Sequence, residues 1–408
     1  MRERLVVKSF GPIKELDIEF RKVTIFIGDQ GMGKSCVAKL FSMFKWLEKV
    51  LTQKRYPENY FVSHNRFITK LCAYNRMESF VGPDSYIKYE GDAYNFEFES
   101  NKEFKISAKG KEVEGISKIM YVPAERAILS VAENKPRLLK ELPDSSETFY
   151  DEFVNAKKSF QDGFALPFDG LRFEYDSLND AGWIRGENYR VRLVSASSGI
   201  QSSLPMCIVT EYLSKKIASR EEVKMSKEEK DRLERRVTEI IQNDSYSNTI
   251  KDIMIRQLSA SSVFDSLINV IEEPELSLFP KSQMRVLYSL IASNASSKKN
   301  MLVLTTHSPY MLAIINTMIM GGKARARAEA ESNEVMMEET NKVLPAEYQL
   351  SSDEVAVYRL DNDSDAYCKT VMNPKTGLIS KNELDAASDD IMKVFNSLYR
   401  SYASTFRR

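Results

Sequence analysis

The chain has 408 residues, 43% of them hydrophobic and 28% charged, with 58 basic side chains against 58 acidic ones. That length and composition fit one or two globular domains with a large core. The charge balance excludes a global basic field, so any nucleic-acid site must be a local patch. Four scattered cysteines, Cys36, Cys72, Cys207 and Cys368, form no CxxC pair, which favours reduced thiols over a disulfide framework or a zinc site. The opening Met1-Arg2-Glu3-Arg4-Leu5 is interrupted by charge too early for a signal peptide. The most apolar stretch, Met311 to Met320, falls short of the roughly 20 residues of a membrane helix. The expectation is a cytoplasmic protein with no membrane partner.

Residues 4–27 read as a strand meander. Leu5-Val6-Val7 precedes a Gly11-Pro12 turn, and Ile13, Leu16, Ile18 and Phe20 lead to Val23-Thr24-Ile25-Phe26-Ile27. That last run is largely apolar and β-branched, as a buried central strand should be. It ends at Gly28, after which Val37, Leu40, Phe41, Phe44, Leu47 and Leu51 keep helical spacing. Residues 52–85 are mixed, aromatic and expected to be helical. Residues 86–108 alternate through Ile87, Tyr89, Tyr94, Phe96, Phe98, Phe104 and Ile106, with turns at Gly91-Asp92 and Asn101-Lys102. This is an antiparallel β element. Ile119-Met120-Tyr121-Val122 reads as a further core strand.

Residues 127–190 carry turn signals without a clear period and are expected to form an inserted helical lobe. Residues 213–257 are charged and helical, typified by Ser226-Lys227-Glu228-Glu229-Lys230-Asp231-Arg232. They are either a solvated helix face or an arm for DNA or a partner. Residues 321–350 begin at Gly321-Gly322 and pass from Lys323, Arg325 and Arg327 to Glu329, Glu331 and Glu334, as an exposed insertion would. Strands resume at Val355-Ala356-Val357-Tyr358, and Asp361, Asp363 and Asp365 read as a strand-end turn. The chain closes on a helix with Ile391, Val394, Phe395, Leu398 and Tyr402 on one face.

Four segments carry chemistry. Gly28-Asp29-Gln30-Gly31-Met32-Gly33-Lys34-Ser35 fits the P-loop pattern G-x-x-x-x-G-K-[ST], in the strand–loop–helix context that the pattern requires. Backbone N–H groups of such a loop cradle phosphates at a helix N-terminus. The candidate nucleotide-binding residues are therefore Gly28, Gly31, Met32, Gly33, Lys34, Ser35 and Cys36. The glycines allow close backbone approach, Lys34 contacts the β- and γ-phosphates, and the Ser35 hydroxyl ligates Mg²⁺. The strand Leu267 to Ile271 delivers Glu272 and Glu273 at its end, followed by Pro274-Glu275-Leu276 and Pro280. His307, one of two histidines, follows the apolar strand Met301-Leu302-Val303-Leu304, whereas His64 has no such context. Ser197-Ser198-Gly199-Ile200-Gln201 precedes an apolar helix from Leu204 to Tyr212.

In this order the segments resemble the Walker A, signature, Walker B and H-loop motifs of ABC-type P-loop ATPases. The stretch from Glu272 to Pro280 is similar to the EEPE-x-x-L-x-P segment of a bacterial AAA-type group. That group is related to the OLD (overcoming-lysogenization-defect), RecF and SMC proteins. The resemblance implies an α/β fold, an ABC-ATPase head with a P-loop sheet, an antiparallel β subdomain and helical insertions. It implies a P-loop lobe over 1–126, a helical lobe carrying the signature over 127–260, and a Walker B and H-loop part over 261–408. Glu272 would support Mg²⁺, Glu273 would orient and deprotonate the attacking water, and His307 would sense the γ-phosphate of ATP.

Ser198, Gly199 and Gln201 match the serine, first glycine and glutamine of the LSGGQ signature. They would act on a partner subunit's nucleotide, with Ser197 and Ile200 replacing the family's leucine and second glycine. Gln30 stands where the RecF and SMC branch usually has asparagine. After Val122, where a glutamine often contacts Mg²⁺, the chain has Pro123-Ala124-Glu125-Arg126. Glu125, Arg126 or neither takes that role, and a structural salt bridge fits equally. The resemblance further implies an ATP-dependent homodimer or higher oligomer that controls a separately encoded nuclease or toxin in anti-phage defence. The rival readings are a RecF-like repair ATPase acting directly on DNA and the cytosolic ATPase of a membrane transporter. Long insertions, the EEPE form and the missing glutamine disfavour the transporter.

Overall fold

The computed structural model describes residues 3–110, 115–131, 143–219, 264–362, 366–380 and 392–400, with a few isolated positions between 235 and 254. Strands β1 (Glu3–Phe10) and β2 (Ile13–Phe20) pair antiparallel across the Gly11-Pro12 turn, with Leu5 opposite Ile18. The expected meander stops there. β3 (Val23–Gly28) leaves for another sheet, where it lies parallel to two later strands. The burial patterns carry the reason. β1 and β2 bury alternate residues, while Val23 through Ile27 are buried in an unbroken run, as a strand covered on both faces must be.

Helix α1 (Lys34–Thr52) buries Val37, Leu40, Phe41, Phe44, Leu47 and Leu51. The expected helical stretch that follows is broken into α2 (Glu58–Val62), a 3₁₀ turn, a π turn over Phe67–Cys72 and a second 3₁₀ turn at Glu78–Phe80. His64 and Asn65 adopt left-handed backbone conformations there. Strands β4 (Val81–Glu90), β5 (Tyr94–Glu99) and β6 (Lys105–Ala108) add to β1 and β2 in a five-stranded antiparallel sheet ordered β2-β1-β4-β5-β6.

β7 (Ser117–Val122) and the short helix α3 (Ala127–Val131) are followed by α4 (Asp144–Ser159). The helical expectation for 127–190 is corrected beyond α4. β8 (Phe164–Ala165), β9 (Arg172–Asp176), β10 (Ala181–Arg185) and β11 (Arg190–Arg192) form a four-stranded antiparallel sheet instead. Helix α5 (Ser198–Ala218) carries the signature segment at its start. The charged run Ser226–Arg232 lies outside the described residues.

β12 (Ser266–Glu272), α6 (Pro280–Ala295), β13 (Met301–Thr305) and α7 (Pro309–Ala330) complete two strand–helix units. Gly321-Gly322 opens no loop; both glycines sit inside α7. A Cβ on Gly322 would lie 2.1 Å from Leu350 O, and one on Gly321 would lie 2.7 Å from Leu344 Cδ2. The pair lets the returning chain cross the helix closely. Helix α8 (Glu334–Val343), β14 (Val355–Leu360) and β15 (Cys368–Thr370) follow. Residues 392–400 are helical, with Val394, Phe395 and Leu398 exposed. Asp363, Asp365, Ile391 and Tyr402 lie outside the described residues.

The central sheet is ordered β15-β14-β3-β13-β12-β7, with β7, β12, β13, β3 and β14 mutually parallel and β15 antiparallel at the edge. Side chains alternate between two cores. Val23, Ile25, Ile27, Leu267, Ile271, Leu302 and Leu304 pack toward α5, α6 and α7. Phe26, Ile268, Val270 and Val303 pack toward α1, which the antiparallel sheet covers from its far side. Phe41 stacks on Phe20 at 3.9 Å and Phe44 on Tyr89 at 5.1 Å within that second core. This layering is an α/β head with a parallel sheet, an antiparallel β subdomain and helices, as the sequence implies. Among the described residues no helix is long and apolar enough to cross a membrane. All four cysteines are free thiols.

Candidate functional site

β3, β13 and β12 are adjacent and parallel, so their carboxyl ends open on one edge of the sheet. That edge is where open α/β sheets hold ligands. It brings together the 28–36 loop, Glu272 with Glu273, and His307. Each glycine of the loop has its own reason. Gly28 (φ +139) lies opposite Leu360 of β14, and a Cβ would come within 2.1 Å of Leu360 O. Gly33 (φ +77) would press a Cβ to 2.8 Å from Ile13 Cγ1, whereas Gly31 (φ +79) faces space with nothing within 4 Å. The loop is therefore walled on its protein side and open at Gly31.

Lys34 is buried at the first position of α1 and donates to Gly28 O (2.7 Å) and Asp29 O (2.8 Å). Burial pulls its pKa down to about 8, against the opposing pull of Glu273, Asp29 and Glu275. Ser35 is half-buried beside it. Cys36 points into the core, and burial pushes its thiol up; only its backbone faces the loop. Met32 is anchored through its carbonyl, which accepts from the Tyr367 hydroxyl at 2.6 Å, with Pro12 O at 3.1 Å from the same hydroxyl. No sequence signal pointed to Tyr367, because it comes from the far end of the chain.

Glu272 closes β12 on the face that meets α1. Its Oε2 accepts from Ala124 N at 3.3 Å, and its Oε1 is buried without a hydrogen-bond partner. The Tyr121 phenol lies near it, and burial with that carboxylate raises the phenol well above its usual pKa; the two do not reach hydrogen-bonding geometry. A buried carboxylate oxygen with an open position suits a cation. Glu273 takes a left-handed backbone (φ +43), a conformation that costs a non-glycine residue about 1–3 kcal/mol. Its N–H donates to Thr305 O at 2.9 Å, and its Oε1 lies 3.7 Å from His307 Nε2. Ser277, four residues on, is also left-handed (φ +61), so the turn after β12 is tightly wound at both ends.

Glu275, which the sequence offers only as part of the Glu272–Pro280 segment, is structural to this edge. Its Oε1 accepts from Thr306 Oγ1 (2.7 Å) and from His307 N (2.8 Å), while Oε2 is buried without a partner. Burial raises its pKa. Thr306 Oγ1 in turn accepts from Ser308 N (3.0 Å), and Ser308 Oγ donates to Gln283 Oε1 (2.6 Å). The His307 backbone is thus fixed by the turn that follows Glu273. Burial first, then the Lys34 charge, lowers the imidazole pKa, so the ring is neutral near pH 7.

The signature segment lies against that same turn. Ser197 caps α5 by its backbone conformation alone, and Ser198 is exposed. Gly199 is buried: a Cβ would meet Ser277 O at 2.8 Å and Leu278 Cδ2 at 3.1 Å. Gln201 turns back onto its own chain, donating to Val194 O (2.9 Å) and Leu193 O (3.2 Å). Of the Glu125 and Arg126 alternatives, Glu125 is exposed and Arg126 fully buried. Among the described residues Arg126 forms no salt bridge; its hydrogen bonds go to backbone carbonyls.

Residues 58–312, more than half of the chain, match the AAA ATPase domain family. The chain belongs to that family. The match begins after α1 and takes in Ser197–Gln201, Glu272, Glu273 and His307. No curated protein matches the chain. Among solved structures, the chain is similar to an SMC head bound to the C-winged helix domain of ScpA. The identity is 11% over 91% of this chain and 97% of that one, with a TM-score of 0.43. An SMC head domain from Thermotoga maritima gives 13% identity over 77% and 91%, with a TM-score of 0.33. The recombination mediator protein RecF gives 12% over 76% and 92%, with a TM-score of 0.29. All three are remote likenesses.

Proposed function

We propose that this AAA ATPase-family chain is an ABC-type enzyme that binds MgATP at the carboxyl edge of its central sheet. It dimerises head to tail through composite nucleotide sites and hydrolyses ATP to control a separately encoded effector. The setting is the bacterial anti-phage defence that the sequence resemblance implies. The observation that carries the reading is the convergence of Lys34, Glu272, Glu273 and His307 from three adjacent parallel strand ends.

Each residue has a task. The N–H groups of the 28–36 loop receive the phosphates through the open side at Gly31. Lys34 exchanges its two carbonyl partners for phosphate oxygens. Ser35 and Glu272 hold Mg²⁺, for which the unpartnered Glu272 Oε1 is suited. The ion, when bound, neutralises charge on the phosphate oxygens. Glu273 positions a water in line with the γ-phosphorus and takes its proton as the phosphoanhydride breaks, leaving ADP and inorganic phosphate. Neutral His307 donates to the γ-phosphate. Ser198, exposed at the N-terminus of α5, serves the nucleotide of a second copy.

The test is nucleotide-dependent assembly. Glu273→Gln with MgATP is expected to sediment as a dimer and the nucleotide-free chain as a monomer. A monomer at every ATP concentration overturns the composite site. Purified chain with Mg²⁺ or Mn²⁺ is expected to leave plasmid, linear DNA and tRNA intact. Cleavage surviving in Glu272→Ala/Glu273→Ala would place a nuclease on this chain and remove the need for an effector. ATP turnover stimulated by DNA would favour direct action on DNA.

A further inference from the structure

Arg126 is fully buried, yet among the described residues its guanidinium donates to four backbone carbonyls and forms no carboxylate ion pair. Nη1 donates to Glu272 O (2.6 Å) and Pro123 O (3.1 Å), Nη2 donates to Glu273 O (2.7 Å), and Nε donates to Ser202 O (2.9 Å). Two of these carbonyls belong to the acids that end β12. The last belongs to Ser202, the fifth residue of α5. One helical turn after Arg126, Ser130 is also buried, and its hydroxyl donates to Gln201 O at 2.7 Å. The segment Ala124–Val131 therefore holds α5 at two consecutive residues and holds both acids through their peptide units. A buried cation hydrogen-bonded to carbonyls is costly, and burial pulls this guanidinium to about 10 against the opposing pull of Glu275, Glu272 and Glu273; it stays charged at neutral pH. Its planar fork reaches several acceptors at fixed angles, which a lysine cannot reproduce.

We infer that Arg126 and Ser130 are positioning residues that couple the Glu272–Glu273 peptide to the signature helix, so that nucleotide at a chain's own P-loop shifts the Ser198 end offered to a second copy. This rests on the composite-site reading above. Both side chains bond to backbone carbonyls and not to the Glu272 or Glu273 carboxyl groups or the 28–36 loop. The Glu272, Glu273 and Ser202 carbonyls share one rigid donor, so a displacement of the acids on binding is carried to α5. In a head-to-tail dimer the α5 end of one chain contributes to the other chain's site. The link therefore makes the two sites cooperative.

The experiment measures ATP hydrolysis by the full chain over a range of ATP concentrations, with single-site nucleotide affinity and thermal stability measured separately. The parent is expected to show a Hill coefficient above one. Ser130→Ala removes one hydroxyl and is expected to bring the coefficient toward one and lower kcat about five-fold or more, the lower end of ordinary coupling energies. Nucleotide affinity should be unchanged, and Ser130→Thr should restore cooperativity. Arg126→Lys is expected to lose more kcat at equal affinity. If Arg126→Lys does not fold, Ser130→Ala and Ser130→Thr decide alone. A dimeric, active parent that is non-cooperative, or a Ser130→Ala chain with the parent's coefficient and kcat, overturns the coupling and leaves the composite site standing. A parent that neither dimerises nor hydrolyses ATP overturns both.

Discussion

The carboxyl edge of the central sheet and the start of α5 are built on different terms. At the edge, polar groups are held before any ligand arrives. Lys34 sits on two carbonyls, Glu275 grips the Thr306 hydroxyl and the His307 amide, and Tyr367 holds the loop through Met32 O. At the start of α5, Ser198 is exposed and Ser197 makes no side-chain cap bond, while Gly199 is wedged against Ser277 and Leu278. One region is preorganised within a single chain; the other presents its hydroxyl outward. Binding determinants of the first kind should fail when any one holding group is removed. Those of the second should matter only when another molecule supplies the rest.

The sharpest break in that comparison is Glu273→Gln. The amide keeps the size and the left-handed backbone but cannot accept the proton, so kcat is expected to fall by about 10²–10⁴ while ATP affinity stays near the parent's. Phosphate release and equilibrium binding, measured on the same preparation, decide it. A kcat near that of the parent assigns the base elsewhere. Lys34→Ala should do the reverse and weaken ATP affinity by about 10- to 100-fold, the worth of a charged hydrogen bond. Unchanged affinity would mean that the loop's N–H groups suffice.

The two regions were not equally legible in the sequence. The P-loop was readable because its backbone demands glycine at Gly28 and Gly33, where a Cβ would strike Leu360 O or Ile13, and a demand of that kind leaves a residue type behind. β3 and β12 were readable because strands covered on both faces are largely apolar, with Thr24 in β3 and Ser266, Asn269 and Glu272 in β12 the polar exceptions. The sheet over 164–192 escaped. Its strands run only two to five residues, too short for a period to emerge. Tyr367 and Arg126 escaped as partners, since their contacts are with backbone carbonyls far away in sequence, and any residue type can supply a carbonyl. Gly321-Gly322 misled for a physical reason: a glycine marks a close backbone crossing inside α7 as readily as a turn.

The outward-facing region is tested by mixing subunits. Gly199 is a poor place to block it, because a side chain there meets Ser277 O of its own chain first. Ser198 is exposed, so Ser198→Arg should fold and bind ATP as the parent does and hydrolyse it poorly. Ser198→Arg and Lys34→Ala subunits should each be weak alone. Mixed, a heterodimer regains one composite site, and about a quarter to a half of the parent's rate per dimer is expected, as only one of two sites is restored. Heterodimers that form without regained activity would reduce the signature segment to a packing loop.

The smallest expected effect lies in pH, and it separates the two regions most cleanly, because the edge holds a lysine, Lys34, forced toward neutrality at the loop itself. In the nucleotide-free chain the Lys34 pKa is pulled to about 8 by burial. Phosphate oxygens favour the charged form, so binding must raise that pKa. The sign follows: below about 8 the lysine is already protonated and affinity is flat with respect to it. Above, each binding event takes up a proton, and affinity falls by at most about tenfold per pH unit. His307 is shifted the other side of its ordinary 6.5, downward, and stays out of this window. Calorimetry just above pH 8, in two buffers of different ionisation heat, should register the uptake. Lys34→Arg, charged throughout, should abolish both the uptake and the slope. Affinity that holds steady through this range, or proton release on binding, would mean that Lys34 is not the phosphate contact.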